Sequence, residues 1–153
     1  AVQMFKQVDA SMFSLWSRQM ANFGSVRAVR AVLNFVLKDT SLQENREAIY
    51  NIWFQLIRAY IIQWKDVDKA MSVLDEMIQN NFSPKLSHYT LLISACHQFS
   101  ENPGPLVFHI YQHFLDHGNT PDLYLFTRMK EAVANSEYLD KVKEEAQKYN
   151  FDI

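Results

Sequence analysis

Apolar residues recur at steps of three and four along most of the chain, which is the spacing of one face of an α-helix. The first such stripe consists of Met12, Leu15, Trp16, Met20 and Phe23. Similar stripes follow to the end of the chain, separated by short polar turns, by Gly24 and by the proline-rich segment 101–105. No stretch alternates as a half-buried strand does. The pattern therefore predicts an all-α fold of about eight helices.

Two stretches of the chain follow the same plan. Residues 70–85 read AMSVLDEMIQNNFSPK, and residues 106–122 read LVFHIYQHFLDHGNTPD. Each predicts an amphipathic helix, a polar turn and a proline, and the two prolines stand 37 residues apart. A helix-turn-helix unit at this period is typical of a solenoid, because one hairpin cannot bury both of its faces alone. We expect a single domain over residues 1–153, with about four stacked hairpins at 11–38, 47–83, 86–118 and 122–149.

Composition narrows the class of protein. The chain is 48% hydrophobic and 14% aromatic, so it can bury a core. Its net charge of −2 argues mildly against a purely electrostatic nucleic-acid binder. Eight lysines and arginines lie between residues 18 and 69, however, so the first half of the chain is the better candidate to face an anion. An ordinary mixed surface explains those charges equally well. One cysteine excludes an internal disulfide framework.

The ends and the hydropathy of the chain give two further expectations. No apolar run is long enough to cross a bilayer, so we expect no membrane span. The sequence shows no initiator methionine and no signal or transit peptide. We expect a mature segment or a fragment of a longer protein.

Few residues suggest chemistry. His109, His113 and His117 stand at four-residue steps, and two histidines one turn apart can bind zinc. They lie opposite the apolar stripe of their helix, which favours a solvated face instead. Cys96 lies on an apolar stripe and is expected to pack as a small hydrophobe. We therefore expect no catalytic residue, no metal, no cofactor and no enzymatic activity.

The flanks of the two stretches suggest a family. From Trp53 the chain reads WFQLIRAY and then DVDKAMSVLDEMIQNNFSPK; from Tyr89 it reads YTLLISAC and then GPLVFHIYQHFLDHGNTPD. Over residues 50–122 this resembles the pentatricopeptide repeat (PPR) family more than the tetratricopeptide repeat, which would show Trp and Gly-Tyr in its first helix. The resemblance implies a right-handed α-solenoid that binds single-stranded RNA in mitochondria and acts in RNA processing, stability or translation.

The resemblance also implies which residues would bind RNA. They are Thr90, Asp122, Phe54, Lys85, Thr127, Tyr124 and Ser87. In that family the fifth residue of a repeat and its last residue together read one base, and neighbouring repeats sandwich the base. Thr90 with Asp122 matches a pair used for a purine, most often guanine. Phe54 and Lys85 do not match the family's base-reading code. Phe54 would instead stack on a base, and Lys85 would bind a phosphate. Thr127 occupies the fifth position of the last unit, and Ser87 and Tyr124 occupy sandwich positions.

Each of these residues also has a structural interpretation. Asp122, directly after Pro121, is well placed to cap a helix, and Thr90 is explained equally as an exposed first-turn residue. Phe54 and Tyr124 are explained equally as core residues, and Lys85 as a solvated charge. A second function stays open beside RNA binding: the same groove can serve as a protein-interaction scaffold, for example in a mitochondrial ribonucleoprotein or a ribosome-associated complex.

Overall fold

The structure is a computed structural model that describes residues 9–153. This part of the chain contains eight α-helices, one short 3-10 turn at Thr40–Leu42 and no strand, so the all-α prediction is confirmed. The helices are α1 Ala10–Asn22, α2 Val26–Lys38, α3 Arg46–Trp64, α4 Val67–Gln79, α5 Leu86–Phe99, α6 Pro103–Asp116, α7 Leu123–Ala132 and α8 Tyr138–Lys148. None of these helices is long and apolar enough to cross a membrane.

Short polar side chains set the starts of several helices. Ser25 and Asp66 accept hydrogen bonds from the N–H groups of Ala28 and Lys69, each at 3.1 Å. Asp9 and Asn45 cap α1 and α3 in the same way. Each cap satisfies a backbone donor that has no partner inside its helix.

The chain forms two compact units, and the first ends at Pro84. In this unit α1 packs on both α2 and α3, α2 packs on α3, and α3 packs on α4. The core is centred on α3, where Ile49, Ile52, Trp53 and Leu56 are almost completely buried. Arg30 on α2 joins Glu76 on α4 through two hydrogen bonds of 2.8 and 3.0 Å. The two hairpins of this unit, α1/α2 and α3/α4, are therefore joined by apolar packing and by an ion pair.

The inner face of α1 differs from the face that the apolar stripe predicts. The buried residues are the small ones, Ala10, Ser14, Ser17 and Ala21, whereas Met12, Leu15, Trp16 and Phe23 are exposed. The small residues also follow helical spacing, and they allow α1 and α3 to approach closely. Asn51 of α3 donates a 2.8 Å hydrogen bond to the hydroxyl of Ser14 across this contact. The prediction that the larger residues form the core of α1 is wrong.

The second unit begins at Lys85 and contains α5 to α8. Here α5 packs on α6 and α7, and α7 packs on α6 and α8. Tyr89 and Phe126 are the largest buried side chains. At the start of α6, a Cβ atom on Gly104 would lie 2.1 Å from the ring of Tyr138 on α8, so this close approach requires glycine. The unit again contains two hairpins, α5/α6 and α7/α8.

Candidate nucleic-acid interface

In the first unit, two arginines approach each other on the first helices of the two hairpins. The guanidinium of Arg58 donates to Gln55 Oε1 and to Asn22 Oδ1, both at 2.5 Å. The pKa of Arg58 is lowered, first by burial and then by the positive charge of Arg18. Among residues 9–153, no carboxylate lies within 4.0 Å of either guanidinium. This surface of α1 and α3 is therefore a site of uncompensated positive charge.

Phe54 lies one helical turn before Arg58 on α3, so the two side chains share one face of that helix. Phe54 is half-buried. A cation beside an aromatic ring is the combination that proteins use to bind single-stranded nucleic acid. The repeat positions predicted Phe54 but not Arg18 or Arg58; the only sequence signal for the arginines was the excess of basic residues in the first half.

In the second unit, Tyr124 on the first turn of α7 is at the surface and not in the core. Half of its surface is exposed, and the Arg128 guanidinium carbon lies 5.0 Å from its ring centroid. Arg128 also forms a 2.9 Å ion pair with Glu131. Its interactions with Tyr124 and Glu131 raise the pKa of Arg128 above its ordinary value. Tyr124 therefore offers an exposed ring beside a partly neutralised cation.

The hydroxyl groups of the two predicted threonines bond to their own helices. Thr90 Oγ1 donates to the Ser87 carbonyl at 3.2 Å, and Thr127 Oγ1 donates to the Leu123 carbonyl at 2.8 Å. Thr90 is only 7% exposed. The alternative interpretation of Thr90 as an exposed first-turn residue is therefore wrong. Ser87 is exposed one turn before it. A base can meet Thr90 only if the surrounding side chains move.

Asp122 and Lys85 both stand immediately before helices. Asp122 Oδ1 accepts a 2.8 Å hydrogen bond from the N–H of Leu125 and so caps α7. Lys85 precedes α5, and its backbone N–H donates to His88 Nδ1 at 3.1 Å. The Lys85 side chain is exposed. Capping of α7 thus explains the position of Asp122, and its role in base reading stays a prediction.

Most of the predicted residues belong to the second unit. Ser87 and Thr90 lie on the first turns of α5, and Tyr124 and Thr127 lie on the first turns of α7, which packs against α5. Asp122 caps α7 in the same unit, whereas Phe54 belongs to the first unit. Each unit therefore contains its own candidate surface: Arg18 and Arg58 in the first unit, and Tyr124 in the second.

Two of the three histidines at four-residue steps, His113 and His117, contact other protein groups. His113 Nδ1 lies 2.9 Å from the Tyr89 hydroxyl, and His117 Nδ1 lies 2.7 Å from the His113 carbonyl. The rings of His113 and His117 stack at 4.1 Å. Within residues 9–153, no group of three or more His, Cys, Asp or Glu side chains is placed to hold a metal ion.

Two comparisons with known proteins found no match to this chain. No protein-family model matches the chain, and no curated protein matches its sequence.

Proposed function

We propose that this chain is an RNA-binding helical-repeat module of the pentatricopeptide type, a right-handed α-solenoid of four hairpins. It binds single-stranded mitochondrial transcripts and acts in their processing, stability or translation, without catalysing a reaction and without a cofactor. The period of 37 residues and the paired hairpins of each unit support the architecture. RNA binding is supported chiefly by Arg18 and Arg58, which lie on two packed helices and have no carboxylate of residues 9–153 within 4.0 Å.

No carboxylate of residues 9–153 lies within 4.0 Å of the two guanidinium groups, so they repel each other, and one phosphate bound to each of them removes that repulsion. Arginine is suited to this role because its planar fork can donate two hydrogen bonds to one phosphate. The backbone of single-stranded RNA presents such phosphates at regular spacing. Phe54 on α3 and Tyr124 on α7 then supply rings on which unpaired bases can stack.

The proposal is tested by replacing both arginines and measuring RNA affinity. We expect the full chain to bind a randomised single-stranded RNA pool at micromolar protein concentration in a low-salt gel shift. The double variant Arg18→Gln/Arg58→Gln should bind at least about tenfold more weakly, since each exposed charge contact is worth roughly 1 kcal/mol. The folded state should be retained, because the substitutions remove a repulsive pair.

Lys38→Gln is the matched control, because Lys38 is an exposed cation in the last turn of α2. It should leave the affinity unchanged. Absence of binding by the wild-type chain, or an equal loss in the control, would contradict the proposal. If RNA binds, crosslinking in cells followed by sequencing of the bound RNA identifies both the transcript and its compartment.

A second candidate function, a protein-interaction scaffold, is favoured by one surface of the first hairpin. Met12, Leu15, Trp16, Phe23 and Phe35 are exposed there, and Phe23 is 87% exposed. The ring of Phe13 packs against two of them, with its centroid 5.0 Å from that of Trp16 and 5.3 Å from that of Phe35. Contiguous exposed apolar surface is typical of protein interfaces. Partners that survive nuclease treatment and are lost in Leu15→Ser/Phe35→Ser would support this function, whereas partners released by nuclease would count against it.

A further inference from the structure

The first unit contains a cavity of about 520 Å³ that lies outside the arginine surface described above. It is formed by the N-terminal half of α2, the C-terminal end of α3 and the first turns of α4. Its lining includes Arg27, Arg30, Tyr60, Gln63, Trp64 and Lys69. The volume falls within the range of small-molecule sites, about 300 to 1,000 Å³.

Two of the three cations in this cavity have no anionic partner among residues 9–153. Arg30 is held by Glu76 and by the Tyr60 hydroxyl, which accepts from it at 2.8 Å. No carboxylate of residues 9–153 lies within 4.0 Å of the side chain of Arg27 or of Lys69. Arg30 therefore positions the wall of the cavity, while Arg27 and Lys69 leave it positively charged.

The same cavity has an aromatic side and an amide side. Trp64 is 52% exposed, and the Lys69 ammonium lies 4.9 Å from its ring centroid. The side-chain oxygen of Gln63 accepts a 2.9 Å hydrogen bond from the N–H of Val26, which fixes the amide beside the start of α2. Its NH2 group has no acceptor among the described residues. A partly exposed indole, a fixed amide and two free cations thus line one cavity.

We propose that this cavity binds a nucleoside phosphate. The base lies against the Trp64 indole and takes a hydrogen bond from Gln63, and Arg27 and Lys69 bind the phosphate. Lysine on a flexible stem can leave the indole face and follow the phosphate. Aspartate and glutamate side chains would satisfy the two cations but carry no aromatic ring for Trp64, so a nucleotide, which has both a phosphate and an aromatic base, fits the lining better. The nucleotide comes either free from solution or as one residue of an RNA strand.

The three tryptophans make the proposal testable by NMR on the full chain, because each gives one indole N–H signal. The Trp64 signal is the one missing from the spectrum of Trp64→Phe. Titration with AMP should shift that signal and leave those of Trp16 and Trp53 in place, with a dissociation constant of about 1 mM or tighter. Adenosine and inorganic phosphate should each bind more weakly than AMP, since each makes only part of the contacts.

Variants of the free cations complete the test. Arg27→Gln and Lys69→Gln should each weaken AMP binding by about fivefold, whereas Lys38→Gln should leave it unchanged. A short RNA oligomer that displaces AMP identifies the strand as the source, and AMP binding undisturbed by the oligomer identifies the free nucleotide. No shift of the Trp64 signal, equal shifts of all three signals, or an equal loss in Lys38→Gln would overturn the proposal. These measurements do not involve Arg18 or Arg58, so this proposal and the proposal of RNA binding can fail separately.

Discussion

Asp122 has two assignable roles, and they make different demands on its side chain. The repeat resemblance implies that its carboxylate contacts an RNA base, whereas in the structure Oδ1 accepts a hydrogen bond from the N–H of Leu125. A cap needs a short side chain with an oxygen, which serine supplies as well as aspartate does. Base reading in the resembled family needs the carboxylate. The two roles can therefore be separated by one pair of substitutions.

We predict that Asp122→Ala lowers the free energy of unfolding by about 1 kcal/mol, because α7 loses its cap. Asp122→Ser should stay within a few tenths of a kcal/mol of the wild-type value, since the hydroxyl replaces the carboxylate as acceptor. Urea unfolding followed by circular dichroism measures both effects. If Asp122→Ser destabilises as much as Asp122→Ala, the cap is not the role of this side chain. If Asp122→Ser also alters base preference in RNA binding, the carboxylate reads a base as well.

The helix α1 shows how two stripes on one helix compete for the core. The larger apolar residues form one stripe, and Ala10, Ser14, Ser17 and Ala21 form the other. Close helix packing favours the small residues, because dispersion contacts along the backbones replace the burial of large side chains. The two serines keep their hydroxyls satisfied: Ser17 donates to the Ser14 carbonyl at 2.6 Å, and Ser14 accepts from Asn51.

We predict opposite outcomes for two substitutions on α1. Ser17→Leu should destabilise the first unit by about 1 to 3 kcal/mol, because the larger side chain has no room between α1 and α3. Leu15→Ser should change stability by less than about 0.5 kcal/mol, because Leu15 is already exposed. All three tryptophans lie in the first unit, so tryptophan fluorescence during urea unfolding reports on it. A larger loss from Leu15→Ser than from Ser17→Leu would show that the apolar stripe is the inner face.

Across the whole chain, charge is divided unevenly between the two units. Residues 1–84 contain nine lysines and arginines against eight aspartates and glutamates, and residues 85–153 contain six against nine. The net charge of −2 is therefore carried by the second unit. An anion is attracted to the first unit, where no carboxylate of the described residues pairs with Arg18 or Arg58. The overall acidity of the chain thus does not oppose RNA binding there.

We predict that RNA binding by the full chain depends on salt as expected for two neutralised phosphates. The logarithm of the binding constant should fall with the logarithm of salt concentration with a slope of about −1.4, since each phosphate contributes roughly −0.7 on a single strand. Fluorescence anisotropy of a labelled RNA over a series of salt concentrations measures this slope. Arg18→Gln/Arg58→Gln should bring it close to zero. A slope unchanged by the double variant would assign the phosphate contacts to other residues.

The sequence alone determined the helices and their pairing into hairpins. Apolar residues at helical steps, caps such as Ser25 and Asp66, and the breaks at Pro84 and Pro121 act within a few residues of chain. Such local signals can be identified in the sequence without knowledge of the fold. The helices α1 to α8 accordingly begin and end within a few residues of the bounds that the pattern predicts.

Only the tertiary structure decided which face of α1 is buried, because both of its stripes obey the same periodicity. It likewise decided that Tyr124 is exposed, that Thr90 is buried, and that Arg18 lies near Arg58 across 40 residues of sequence. The cavity lined by Arg27, Trp64 and Lys69 also could not be predicted from the sequence, because its lining residues come from three helices. Burial and charge compensation depend on contacts between residues distant in sequence. A one-dimensional pattern therefore identifies the helices but not the surfaces that they form.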